Sequence, residues 1–226
     1  MILTILIPFI LLMPCLASGT CEKHPIYCQM MMNLGQAYSE SKIESSYGHG
    51  YLMRVSNIIH KVTARYDLVE ERELFTDILM QESFYRQDAM HCVGGLSVDR
   101  MTLTEEECEG KPLILKCRMA VPELGEKEVC QDFGIAMINY RTATLYGFSV
   151  RRIMSDLEYA ISCGAKVLSD LKKSYKGEPG WWTRYNAVSD WKRAGYEMEV
   201  SKWRKGRKES RQEQTSSRNT KGGHPR

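Results

Sequence analysis

The chain has no Cys-x-x-Cys pair, and its five histidines stand singly at positions 24, 49, 60, 91 and 224. Metal sites gather thiolates and imidazoles at short spacing. No metal centre is therefore expected, and each histidine reads as a solvated or hydrogen-bonded side chain. No internal repeat occurs, which sets aside stacked-repeat architectures. From residue 204 to 226 there is no aliphatic and no aromatic residue. Such a segment cannot bury enough apolar surface to offset the entropy of ordering, so 204–226 is expected to be a disordered basic tail. It also lacks the interleaved aromatics of a nucleic-acid platform, and no specific nucleic-acid partner is expected.

What charge there is divides unevenly. Residues 201–226 hold nine Lys/Arg and two Glu, a net of +7 against +3 for the whole chain, which leaves −4 for the remainder. The tail thus offers a loose contact to polyanions, with a merely solvated tail as the simpler account. Long apolar runs are missing apart from Met1 to Leu16, itself broken by Thr4, Pro8, Pro14 and Cys15. With Ala17-Ser18-Gly19 behind it, the run reads as a cleaved export signal over residues 1–19, although its start lacks Lys and Arg. It is short and proline-broken for a membrane anchor. Lipid on Cys21 is the lesser option, because Thr20 stands where a small residue belongs. A periplasmic or secreted protein is expected.

Of eight cysteines, removal of Cys15 leaves Cys21, Cys28, Cys92, Cys108, Cys117, Cys130 and Cys163. Export into an oxidising compartment implies disulfides, and the odd number leaves one thiol free, lipidated or intermolecular. At 226 residues there is room for one well-cored domain with appendages. An N-terminal extension is expected over 20–50, ending in the Ser- and Gly-rich stretch Ser45 to Gly50. Helical periodicity then begins with Leu52, Val55, Ile59 and Val62, and resumes with Leu74, Phe75, Ile78 and Leu79. Between Cys92 and Cys130 the pattern fails, and a loop-rich, disulfide-tied insert is expected. Periodicity returns over Gly134 to Tyr146, and again after the capping box Ser155-x-x-Glu158. A last helical region runs from Trp181-Trp182 to near Trp203. The expected fold class is α+β and predominantly helical.

Glu82 is the most informative residue. It falls one turn beyond Ile78 and Leu79 on the same apolar stripe, where a charge is costly unless paired or neutralised. Burial disfavours the ionised carboxylate, and the C-terminal end of a helix adds a smaller push in the same direction. An acid still holding its proton near neutral pH is the expected result, ready to donate. The plain alternative is a glutamate at a frayed helix end reaching water.

Three segments, in order, resemble the lysozyme superfamily, both its soluble lytic transglycosylase branch and the c-type lysozymes. Glu82-Ser83 followed by Phe84 to Ala89 is similar to the family's catalytic Glu-Ser with its following aromatic and alanine. Asp132-Phe133-Gly134-Ile135-Ala136-Met137-Ile138-Asn139 resembles the Asp-aromatic-Gly-Ile-x-Gln-Ile-Asn of c-type lysozymes and the Gly-Leu-Met-Gln of the transglycosylases. Tyr185-Asn186 after Trp181-Trp182 is similar to the closing Tyr-Asn of transglycosylase domains, with the helix from Ile153 to Tyr175 before it. The resemblance covers roughly residues 51–200.

It implies a lysozyme-like fold over residues 51–203, with a disulfide-rich insert. It also implies cleavage of the β-1,4 link between N-acetylmuramic acid and N-acetylglucosamine in peptidoglycan. Glu82 would be general acid and then base; Asp132 would be the second carboxylate of a hydrolase, or an N-cap for a helix starting at Gly134. Ser83, Asn139, Tyr185 and Asn186 would be substrate-binding, with a local helix-end serine, a surface amide and a core tyrosine as the plain readings. Trp181 and Trp182 would stack on sugars or fill the core. No metal or organic cofactor is implied. Two departures stand out. Met137 occupies the glutamine position and cannot donate a hydrogen bond, and fifty residues separate Glu82 from Asp132. The transglycosylase is the leading expectation. Its alternatives are a muramidase using Asp132 and a wall-binding protein that has lost catalysis.

Overall fold

The computed structural model describes residues 20–40, 47–94, 119–120, 128–175, 177–186 and 189–221, with side chains described for 21–40, 47–89, 132–175, 177–186 and 189–207. The expected signal at 1–19 lies outside the described residues, as does most of the insert. The side chains of Cys92, Cys108, Cys117 and Cys130 lie outside them too. The protein is predominantly helical, with a small antiparallel sheet. Eight α-helices are described: α1 Thr20–Lys23, α2 Pro25–Ser39, α3 His49–Arg65, α4 Arg72–Ser83, α5 Tyr140–Tyr146, α6 Val150–Ser155, α7 Leu157–Ser174 and α8 Asp190–Lys221. The strands are β1 Met90–Gly94, β2 Met119–Ala120, β3 Glu128–Phe133 and β4 Ile138–Asn139, and a 3-10 turn covers Trp181–Tyr185. The chain divides into two compact units, Met1–Gln81 with Leu171–Arg226, and Glu82–Asp170.

In the first unit α2 packs against both α3 and α8. Pro25 opens α2 at its first turn, where a missing N–H costs nothing, and Ile26, Met30, Leu34 and Ala37 form its buried stripe. Leu52, Val55, Ile59 and Val62 are buried along α3, and Leu74, Phe75 and Ile78 along α4, at the helical spacing of their sequence. Cys21 and Cys28 form a disulfide that ties α1 to α2, so the Cys21 sulfur is not a free thiol. Within the segment 20–50, expected as an appended extension, the helix α2 therefore supplies core.

The C-terminal segment departs from expectation. Residues 204–221, expected to be disordered, continue α8. Tyr196, Val200, Trp203 and Arg207 are buried at spacings of four, three and four residues, which is one face of a helix. The polar composition of 204–226 concealed this because the anchor it contributes to that face, Arg207, is itself a charged residue. Lys202 Nζ donates to Glu40 at 2.7 Å and Trp203 Nε1 to Gln81 Oε1 at 3.1 Å, so α8 is fastened to α2 and α4. Among the described residues, no helix is long and apolar enough to cross a membrane.

In the second unit β3 is central. Its whole length pairs with β1 on one side, while on the other its first half pairs with β2 and its end with β4. The expected helix over 134–146 is corrected here. Residues 134–137 are a turn between β3 and β4, and α5 starts only at Tyr140. Gly134 at φ 72° and Met137 at φ 43° hold left-handed backbone that no α-helix admits. The expected capping box is displaced as well. The Tyr159 backbone N–H donates to Asp156 Oδ1 at 3.0 Å, whereas Ser155 Oγ donates back to the Arg151 carbonyl at 2.9 Å. Asp156 is thus the cap that separates α6 from α7.

Candidate functional site

Glu82 is the penultimate residue of α4 and is half-buried. The chain then reverses sharply. Phe84 and Tyr85 take consecutive left-handed conformations, φ 52° and 64°, a costly arrangement for two aromatic residues. What sustains it is packing and hydrogen bonding. Tyr85 is wholly buried, the Arg86 N–H donates to the Ser83 carbonyl at 3.1 Å, and the Gly134 N–H donates to the Ala89 carbonyl at 2.8 Å. Ser83 is buried too, and its hydroxyl donates to the Ile135 carbonyl at 2.7 Å. Ser83, expected to contact substrate or hold Glu82, closes a seam between the end of α4 and the β3–β4 turn.

Across that seam the turn allows little freedom. A Cβ on Gly134 would stand 2.6 Å from Ile153 Cγ2 and 3.1 Å from the Ile153 carbonyl oxygen, so only glycine lets the turn lie against α6. Gln87 Nε2 donates to the same Ile153 carbonyl at 2.6 Å. Met137, in the position where the resemblance expects glutamine, is half-buried. Asp132 sits near the end of β3, directly opposite Asn139 on β4. Directly opposed residues of an antiparallel pair share a sheet face, and here Asn139 Nδ2 donates to Asp132 Oδ1 at 2.8 Å. The other end of the same amide works as well, with Asn139 Oδ1 accepting from the Arg141 N–H at 3.0 Å as the N-cap of α5. Asp132 is therefore not the N-cap of a helix at Gly134; its carboxylate is held by an amide donor, and the capping residue is Asn139.

Glu82, Ser83, Asp132 and Asn139 all fall in the second unit. Two other expected site residues, Tyr185 and Asn186, fall in the first. Tyr185 is half-buried at the end of the 3-10 turn, and Asn186 is exposed beyond it. Arg184, next to them, is clasped by Glu178, with nitrogen–oxygen distances of 3.0 Å on both arms, and its guanidinium lies 4.1 Å from the centre of the Tyr175 ring. Trp182 is buried against Tyr196, a core placement, while Trp181 is half-buried. Among the described residues no cluster of His, Cys, Asp and Glu could hold a metal ion.

Sequence reasoning did not single out Gln87, Gly134 or the Ile153 carbonyl, which lock the turn. Their partners lie 19 to 66 residues away, beyond the reach of any local pattern. Comparison of the chain with family models, curated proteins and solved structures gave no match.

Proposed function

We propose that the chain is an exported peptidoglycan-cleaving glycosidase with a lysozyme-like fold, acting on the glycan link between N-acetylmuramic acid and N-acetylglucosamine. The observation that carries the reading is the Ser83–Ile135 hydrogen bond. It fastens the residue next to the candidate acid, Glu82, to the turn that follows the amide-held Asp132. A glycosidase needs an acid and its supporting groups fixed on rigid elements, because small displacements lose much of the rate. Glu82 would give its proton to the bridging oxygen as the bond breaks and positive charge develops on the sugar. The muramyl 6-hydroxyl would then attack that carbon and return its proton to Glu82, leaving a 1,6-anhydro end. Glycan strands are the partner, and the periplasm or cell exterior the place of action.

A second reading is favoured by one specific contact. Asn139 Nδ2 donates to Asp132 Oδ1 at 2.8 Å, which fixes that carboxyl group beside the turn that Ser83 holds. In that reading Asp132 would be the second carboxylate that stabilises or captures the sugar cation, with water completing hydrolysis to a reducing end. Mass spectrometry of fragments released from purified wall distinguishes the two outcomes, anhydro ends marking a transglycosylase and reducing ends a muramidase. Glu82→Gln is expected to abolish fragment release while leaving the far-ultraviolet circular dichroism unchanged. Undiminished release by that variant overturns both readings.

A further inference from the structure

Asp77, halfway along α4, is fully buried, and so is Asn33 on α2. Gln29 and Arg207 are almost as deep, at 2% and 6% exposure. Asp77 Oδ1 accepts from Gln29 Nε2 at 2.9 Å and from Asn33 Nδ2 at 3.0 Å. Arg207 grips the same carboxylate with both terminal nitrogens, one on Oδ1 and the other on Oδ2 at 2.8 Å. The first of these also donates to Asn33 Oδ1 at 2.8 Å. Gln29 Nε2 donates in addition to the Glu73 carbonyl at 2.8 Å, and Arg204 Nε stands 3.5 Å from Asp77 Oδ2. Three helices thus meet at one hydrogen-bonded polar knot within the core of the first unit.

Affinity between the helices does not require such a knot. Removing two charges from water costs about as much as their attraction returns, and well-packed apolar replacements are commonly neutral or stabilising. What an apolar contact lacks is direction. A slide of α8 by one turn, about 5.4 Å, still buries grease on grease, but it breaks a two-armed guanidinium–carboxylate pair that tolerates one geometry only.

We infer that the Gln29–Asn33–Asp77–Arg207 knot is a register lock, fixing the axial position and rotation of α8 and α4 against α2, and that the basic C-terminal helix is a strap held by it. The lock holds whatever reaction the chain performs.

The test is the full-length protein carrying Asp77→Leu together with Arg207→Met, read by thermal unfolding and amide hydrogen exchange. The lock predicts a folded variant whose exchange across 196–207 is accelerated at least about tenfold as alternative registers open. Its melting temperature is expected to be no lower than that of Arg207→Ala alone, because Asn33 loses its bonds to Asp77 and Arg207 but no charge is left buried without its counter-charge. Arg207→Ala alone is expected to lower the melting temperature, because it leaves Asp77 buried without its counter-charge, and Arg207→Lys to fall between. Parental exchange in the double variant overturns the lock, and so does its failure to fold, which would make the knot a source of stability and not of register.

Discussion

Gly134 shows how much a single position constrains the candidate site. Its left-handed backbone and the Ile153 methyl 2.6 Å from any added Cβ leave no room for another residue. Gly134→Ala is expected to cost about 1–3 kcal/mol, from backbone strain and overpacking together, measurable by thermal or urea unfolding. Cys163 makes an opposite point, since its chemistry is suppressed by where it lies. It is buried and unpaired, and burial above all pushes its thiol up to about 12. Because the thiolate is the reactive form, Cys163 is expected to resist iodoacetamide at pH 8 in the native protein and to react once urea unfolds it, with peptide mass spectrometry as the readout. At this scale the sequence revealed types and not partners. Glu82 stood out as a carboxylate on an apolar stripe, and Asp132 and Asn139 through their likeness to a motif. That Ser83 closes onto the Ile135 carbonyl was hidden, because a backbone acceptor 52 residues away carries no signature.

Among the elements, helices with apolar stripes were legible and their ends were not. The stripes of α3 and α4 lie where their spacing placed them, since burying those side chains outweighs local detail. The boundary between α6 and α7 was misplaced by one residue. Ser155 and Asp156 are both good caps, and the geometry selected Asp156, whose Oδ1 takes the Tyr159 N–H. Asp156→Ala is therefore expected to destabilise by about 0.5–2 kcal/mol. That hydrogen bond is the main cause holding the Asp156 carboxyl below its usual range, with Arg152 assisting. A depressed carboxylate contributes stability above its unfolded value of about 3.8, lost as pH falls through the lower folded value. The gap in melting temperature between parent and Asp156→Ala should accordingly be full at pH 6 and close on acidification below that range. A gap constant with pH would refute the assignment. The 134–137 turn escaped notice because Ile135, Ala136 and Ile138 are apolar enough to imitate a helix, while its determinants, Gly134 and Met137, act through φ.

Over the whole molecule, a predominantly helical class was legible, since periodicity sets element type, while its failure after Cys92 marked a loop-rich stretch without revealing the sheet. The division into two units was not, because the first is assembled from both ends of the chain. Its closing element, α8, is held through Arg207, a residue whose polarity argues against burial until Asp77 and Asn33 are seen around it. Past Arg207 the helix has no apolar side chain to bury, so ending the chain after 207 is expected to leave the melting temperature within about 1 °C of the parent, where ending it after 202 removes Trp203 and Arg207 and lowers it by several degrees. The central claim is that Glu82 drives cleavage of a glycan strand. The most direct measurement is mass spectrometry of soluble fragments released from purified wall by the parent and by Glu82→Gln at equal concentration. The account predicts disaccharide-repeat fragments with anhydro ends from the parent and none from the variant. Equal release by both, or release by neither, would contradict it.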